Sequence, residues 1–162
     1  MVVEADGERC GCGARGCLEA YASATAILRD ARAALARGEV TSLREAFGAR
    51  PEALTAKDVS DAARAGDPVA RGILERAGRY LGVGLTSLVH LLNPDLITLA
   101  GGLTAAGDLL LAPALAELTL RAFPVLLRRT RVELSALAET AGMLGAAGIV
   151  LADAGHLWMG AP

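Results

Sequence analysis

The chain has 162 residues, 53% hydrophobic, 21% charged and only 3% aromatic, so it can bury one aliphatic core and is not a disordered tail. Its 16 basic and 18 acidic residues give a formal charge of -2 and are scattered along the sequence, without the basic stripe of a nucleic-acid binder. The longest apolar runs, around Leu81 to Leu92 and Gly142 to Ala152, are shorter than the roughly 18 residues a bilayer span needs.

Met1 to Asp6 has neither the basic nor the apolar region of a secretory signal, so a cytoplasmic, reducing compartment is the expectation. Val2-Val3 before Asp6-Gly7 reads as the stub of a strand entering a turn. From Leu18 to Arg37 the apolar positions Ala24, Ile27, Leu28, Ala31 and Leu35 recur at helical spacing, which predicts an amphipathic helix stopped near Gly38. A short helix is predicted over Ser42 to Phe47, ending at Gly48, with a loop at Pro51. Thr55 followed by Asp58 is a capping-box pattern. Asp67-Pro68 supplies an N-cap and a first-turn proline for one long helix, whose apolar stripe runs from Ala70 to Leu92 until Asn93-Pro94 breaks it. Asp95 to Ala100 reads as a short strand entering Gly101-Gly102, followed by a helical region from about Ala105 that Pro113 and Pro124 punctuate. Arg131 to Ala136 alternates like a second strand, and Glu139 to Ala154 reads as a last helix. Two strands joined through a helix predict a parallel crossover, hence an α/β fold.

All three cysteines lie within Cys10-Gly11-Cys12-Gly13-Ala14-Arg15-Gly16-Cys17. Cysteines used as small hydrophobes would be spread through helices, and one disulfide would leave an odd thiol. Three thiolates on a glycine-rich loop can instead aim at one Zn²⁺, each about 2.3 Å from it. That reading predicts a structural zinc site with Cys10, Cys12 and Cys17 as ligands, with packing and redox chemistry as the alternatives. A closed tetrahedral site needs a fourth donor. The chain's histidines, His90 and His156, sit far from the loop in sequence and read as a helix histidine with a local partner and a solvated one. Water, Glu4, Glu8, a partner chain or a residue upstream of Met1 are the other candidates.

The segment Cys10-x-Cys12-Gly13-x-x-Gly16-Cys17-Leu18-Glu19 resembles the zinc motif of the ROK family, which comprises bacterial sugar kinases and sugar-responsive repressors. Glu19 to Ser23, the Gly66-Asp67 helix start, Leu88 through Pro94, Ile97 to Gly102, Ala106 to Leu110 and Ala141 to Ala147 resemble the family's C-terminal half in order. The resemblance implies an actin-like, ribonuclease H-like ATPase fold of two lobes, helix-rich, with sugar and ATP in the cleft between them. Residues 1–162 would form a single partial C-terminal domain with its zinc loop at 8–19, the N-terminal lobe being absent. The family's glycine-rich phosphate loops, its catalytic aspartate and a Glu-x-Gly-His segment lie upstream of what this chain matches. The chain would begin directly after that histidine, the expected fourth zinc ligand, and Met1 would be internal to a longer reading frame.

Carried over residue by residue, the resemblance makes Cys10, Cys12 and Cys17 zinc ligands and gives Glu19 hydrogen bonds to sugar hydroxyls. Glu19 read alone needs no more than the dipole of its helix. Gly101 and Gly102 would let the backbone approach ATP with its magnesium, although a Gly-Gly pair alone is an ordinary turn. No catalytic residue is expected here, since the resemblance puts the base in the absent lobe; Asp95, Asp108 and Asp67 are the possible substitutes, but Asp95 opens a strand and Asp67 caps a helix. The function implied is the C-terminal portion of a glucokinase-like hexose kinase, inactive as this chain alone. A sugar-sensing repressor and a stand-alone zinc-stabilised interaction module are the competing readings. A homo-oligomer is expected, with no membrane and no nucleic acid bound by this stretch.

Overall fold

The structure, a computed structural model, describes the backbone of residues 1–137 and 140–159, and the side chains of these through residue 152. Seven α-helices and two strands follow one another among the described residues: α1 (Ala24–Arg37), α2 (Leu43–Phe47), α3 (Ala56–Arg64), α4 (Pro68–Leu92), β1 (Leu96–Leu99), α5 (Asp108–Arg121), α6 (Pro124–Leu127), β2 (Arg131–Leu134) and α7 (Ala141–Met159).

Local signals set most of these boundaries. The Asp67 carboxylate accepts from Ala70 N at the start of α4, Pro68 occupies its first turn, and Asn93 ends it at φ 44°. Thr55 and Asp58 close the expected capping box at α3. β1 and β2 are parallel, with Leu96 opposite Arg131 and Leu99 opposite Leu134, and α5 and α6 lie between them in the chain. This is the crossover that the strand, helix, strand order predicts.

Several features differ from the sequence reading. The helix expected from Leu18 begins at Ala24, because the Ser23 hydroxyl accepts from Ala26 N and caps a new start; Leu18–Ala20 is a separate 3₁₀ turn. The helical region after Gly102 opens as a 3₁₀ turn over Gly102–Ala106, and Gly107 at φ 59° separates it from α5. Pro113 lies inside α5 and does not interrupt it. The predicted start of the last helix at Glu139 lies outside the described residues, and α7 extends past Ala154 to Met159.

α4 is the spine. Its first half buries Ala70, Leu74 and Ala77 against Ile27, Ala31 and Leu35 of α1 and Val59 and Ala63 of α3. Its second half buries Leu85 and Val89 against Ala114 and Leu118 of α5, with Ile97, Leu99 and Val132 of the sheet beneath. Burial of the leucine, isoleucine and valine side chains among these, at about 1.5–3 kcal/mol each, holds the helices on one face of the two strands. α5 comes close to α4 where α4 has glycine: a Cβ at Gly78 would sit 2.5 Å from Leu110 O, and one at Gly82 would sit 2.5 Å from Ala114 O. No described helix is long and apolar enough to cross a membrane.

Candidate functional site

The cysteine loop is a twisted, two-armed hairpin. Val2 bridges Cys17 and Arg9 bridges Arg15, both antiparallel. Val3 N and Glu4 N both donate to Gly16 O, and Gly16 N donates to Glu8 O at 2.9 Å. A turn at the tip is closed by Gly13 N on Cys10 O (3.0 Å) and Cys10 N on Ala14 O (2.9 Å). Gly16, at φ 69°, is buried where the arms cross, and a Cβ there would overlap the Glu4 carbonyl oxygen. Only glycine fits.

This hairpin brings the three sulfurs together. One Sγ each from Cys10, Cys12 and Cys17 lies within 4.8 Å of the others, and Cys12 and Cys17 are 3.6 Å apart, sharing a hydrogen. A tetrahedral zinc with 2.3 Å bonds holds its sulfurs roughly 3.8 Å apart, so the donor set and its spacing fit that ion. Such an ion would supply a crosslink to the loop, and no more is required of it here. The Cys12 thiol is held below its ordinary value, first by a backbone hydrogen bond from Ala14 and then by Cys10. Cys17 is pushed up to about 11, chiefly through its hydrogen bond with Cys12. Among the described residues the cluster contains neither Glu4 nor Glu8 nor His90. His90 stacks tilted on Phe123, and its Nε2 accepts from Phe123 N at 3.3 Å, which is the local-partner role expected of it. The side chain of His156 lies outside the described residues.

Glu19 follows directly in the 3₁₀ turn and is exposed. It borders a cavity of about 400 Å³ together with Cys10, Gly11, Ser23, Ala26 and Arg29. Arg29 is fixed at its edge by Ala20 O (2.9 Å) and Asp30 Oδ1 (2.8 Å). The Gly101-Gly102 turn leaves β1 with Gly101 at φ 102°, a conformation that favours glycine, and its carbonyl accepts from the Thr104 hydroxyl and amide. A Cβ on Gly102 would meet nothing within 4 Å, so its backbone is open to a ligand. Gly102 borders a second, mostly apolar cavity of about 480 Å³ with Ala24, Ile27, Lys57, Ser60 and Leu103. The two cavities share the first turn of α1: Ser23, Thr25 and Ala26 face one, Ala24 and Ile27 the other.

Of the three aspartates that could stand in for a catalytic base, Asp108 is exposed at the first residue of α5, and the other two have structural work. Asp67 is buried under hydrogen bonds from Thr41, Ser42 and Ala70, and Asp95 accepts from Arg131 N through its carbonyl while its exposed carboxylate faces Arg129 at 3.9 Å. Sequence reasoning did not find the contact between the chain's two tyrosines, Tyr21 and Tyr80, which stack with centroids 4.0 Å apart behind the cysteine hairpin. The scarcity of aromatics was the one available signal. Nor did it find the cavity beside Gly102, whose walls come from α1, α3 and the turn after β1.

The model of the ROK family matches residues 1–153. The glucokinase of Thermotoga maritima is 39% identical over 150 residues, covering 93% of this chain and 47% of that protein. The xylose repressor of Bacillus spizizenii is 28% identical over 151 residues, covering 93% of this chain and 35% of the repressor. A ROK glucokinase from Streptomyces griseus, in complex with glucose and AMPPNP, superimposes with a TM-score of 0.75 at 31% identity, over 92% of this chain and 49% of that one. The chain thus spans less than half the length of these relatives, kinases and repressors alike. With the motif, the helix-rich α/β architecture and the match running together along nearly the whole sequence, the chain belongs to the ROK family.

Proposed function

We infer that this stretch is the C-terminal portion of an ATP-dependent, glucokinase-like hexose kinase, one lobe of an actin-like, ribonuclease H-like fold. The observation that carries the reading is the pair of adjoining cavities on the first turn of α1, one bordered by Glu19 and the other by Gly102. The Streptomyces griseus glucokinase that superimposes on the chain holds glucose and AMPPNP, a sugar and a nucleotide. In this reading Cys10, Cys12 and Cys17 hold a structural zinc that stiffens the loop, and the Glu19 carboxylate accepts hydrogen bonds from sugar hydroxyls. The backbone at Gly101 and Gly102 admits the nucleotide, which arrives as Mg-ATP. Residues 1–162 act as one partial domain, with the zinc loop at 8–19. The general base comes from the part of the enzyme that precedes this stretch in its relatives, so the chain alone does not turn over. The fourth zinc ligand comes from there too. Exposed Leu91, Leu92, Leu120, Phe123 and Val125 are the surface for the expected homo-oligomer, and the compartment is the cytoplasm.

The test joins the residues that precede the matching stretch in the Thermotoga maritima glucokinase to Met1 and follows hexose-dependent ADP release. Expected are no release by the chain alone, release by the joined protein, and one zinc per chain that Cys17→Ser removes. Glu19→Gln should lower kcat/KM for the sugar roughly 10- to 100-fold, the worth of a hydrogen bond to a charged group. A folded, zinc-loaded joined protein that binds hexose and releases no ADP would overturn the kinase reading. It would favour the second one, a sugar-responsive repressor, which rests on the similarity to the xylose repressor over 93% of this chain.

A further inference from the structure

The three sulfurs come from different parts of the hairpin, Cys10 at the end of one arm, Cys12 in the turn at the tip and Cys17 at the base of the other arm. Glu8, on the first arm, is held from both sides through its backbone. Glu8 lies two residues before Cys10, and its carbonyl accepts from Gly16 N, the residue before Cys17. Its own N–H donates to the phenol oxygen of Tyr21 at 2.7 Å. Tyr21 is buried, 5% exposed, and its ring lies against Tyr80 of α4 at an interplanar angle of 20°. The Arg76 guanidinium stands about 6 Å from both ring centres. The Tyr80 hydroxyl reaches back to Glu4 Oε2 at 3.4 Å, on the hairpin's first arm. Gly7 carries no side chain where the phenol passes, and a Cβ there would overlap the Tyr21 oxygen.

We propose that Tyr21 is a positioning residue for the metal: its hydroxyl, anchored through the Tyr21–Tyr80 stack to the long helix, accepts from the Glu8 N–H and so holds Glu8 where the cysteine arms converge. The inference rests on the metal reading of Cys10, Cys12 and Cys17. It goes beyond those ligands by naming the group that fixes their spacing. Three sulfurs must meet one ion to within a few tenths of an ångström, and an outer partner that sets such spacing is typically worth 10- to 100-fold in metal affinity. A tyrosine that merely filled space would be insensitive to its hydroxyl, since phenylalanine keeps both ring and stack.

The test is zinc affinity by competition with a chromophoric chelator, on the full 162-residue chain and two variants, with the thermal midpoint of each metal-free form alongside. Tyr21→Phe should weaken zinc about 10-fold while moving the metal-free midpoint little, because the freed Glu8 N–H can turn to water. Gly7→Ala attacks the same hydrogen bond from the other side, through the Cβ that displaces the phenol oxygen. The double variant should therefore bind zinc no more weakly than the weaker of the two single variants. Cobalt in place of zinc gives a spectroscopic check, its d–d bands shifting in Tyr21→Phe as the sulfur geometry relaxes. Zinc bound by Tyr21→Phe as tightly as by the unsubstituted chain overturns the positioning role, as does a double variant whose losses multiply. An unsubstituted chain that binds no zinc, even when joined to the preceding residues that bring the fourth ligand, overturns the metal reading itself, a failure visible before any variant is made.

Discussion

Gly82→Ala should destabilise the chain by about 1–3 kcal/mol, although alanine is the better helix former by about 1 kcal/mol. The sign follows from what stands opposite. A methyl at position 82 would lie 2.5 Å from Ala114 O and 2.6 Å from Glu117 Cβ, and at position 78 it would lie 2.5 Å from Leu110 O and 2.6 Å from Pro113 Cγ. Two of those neighbours are carbonyl oxygens of α5, which cannot swing aside as a side-chain tip can. The helices must part, and Leu85, Val89, Ala114 and Leu118 lose contact along the seam. Gly72 is the control. It lies on α4 too, but exposed, with nothing within 4 Å of the added carbon, so Gly72→Ala should stabilise by up to about 1 kcal/mol. Urea midpoints of the two variants check this. Equal shifts of the same sign would mean that helix propensity alone decides and that the close approach costs nothing.

Asp67→Ala carries the other large effect, a loss of about 2–4 kcal/mol, or roughly 5–15 °C in midpoint for a chain of this size. One carboxylate serves four donors: Thr41 Oγ1 (2.8 Å), Ser42 N (2.6 Å) and Ser42 Oγ (2.8 Å) on Oδ2, and Ala70 N (2.9 Å) on Oδ1. Removing it uncaps α4 and leaves the donors of the α1–α2 connection short of an acceptor in a buried place. Burial alone would raise this carboxyl, but the hydrogen bonds from Ala70, Ser42 and Thr41 outweigh it and bring it from 3.8 down to about 2. The folded value is the lower one, so the stabilisation is complete above about pH 4 and fades as the pH falls toward 2. A shift of that size corresponds to about 2 kcal/mol. Asp67→Asn keeps a side-chain oxygen and gives up the charge. The stability gap between it and the unsubstituted chain should close across this window, and a gap constant from pH 6 to pH 2 would contradict the assignment.

The elements that were legible in the sequence are those whose cause is local. Asp67-Pro68 and Asn93-Pro94 bracket α4 within a few residues of its ends, Thr55 and Asp58 are three apart, and the cysteines fall within one hairpin. What escaped depends on distant partners. The apolar pattern runs through Ser23 without a break, and only the meeting of its hydroxyl with Ala26 N restarts the helix there. Asp67 reads as a plain cap until Thr41 and Ser42, 26 and 25 residues away, fold onto it. Gly78 and Gly82 look no different from Gly72 until α5 is laid against them. The cysteine cluster and the motif around Glu19 pointed to a metal and a sugar, but the cavity beside them is closed by α1, and the one beside Gly102 by α1 and α3, which carry no motif of that kind.

α7 differs from the other long helices in what holds it. Its residues from Ala141 to Ala152 carry no charge, and Met143, Leu144, Ile149, Val150 and Leu151 are all half or more exposed. Gly142, Gly145 and Gly148 each cost about 1 kcal/mol against alanine, and few side-chain contacts repay them here. Helix in this segment is therefore conditional in a way that α4 is not. In hydrogen exchange the amides of α7 should open with a free energy near zero, while those of Leu74, Leu85 and Val89 exchange through opening of the whole core. A single unfolding temperature would describe the α4 layer and say little about the state of its last helix.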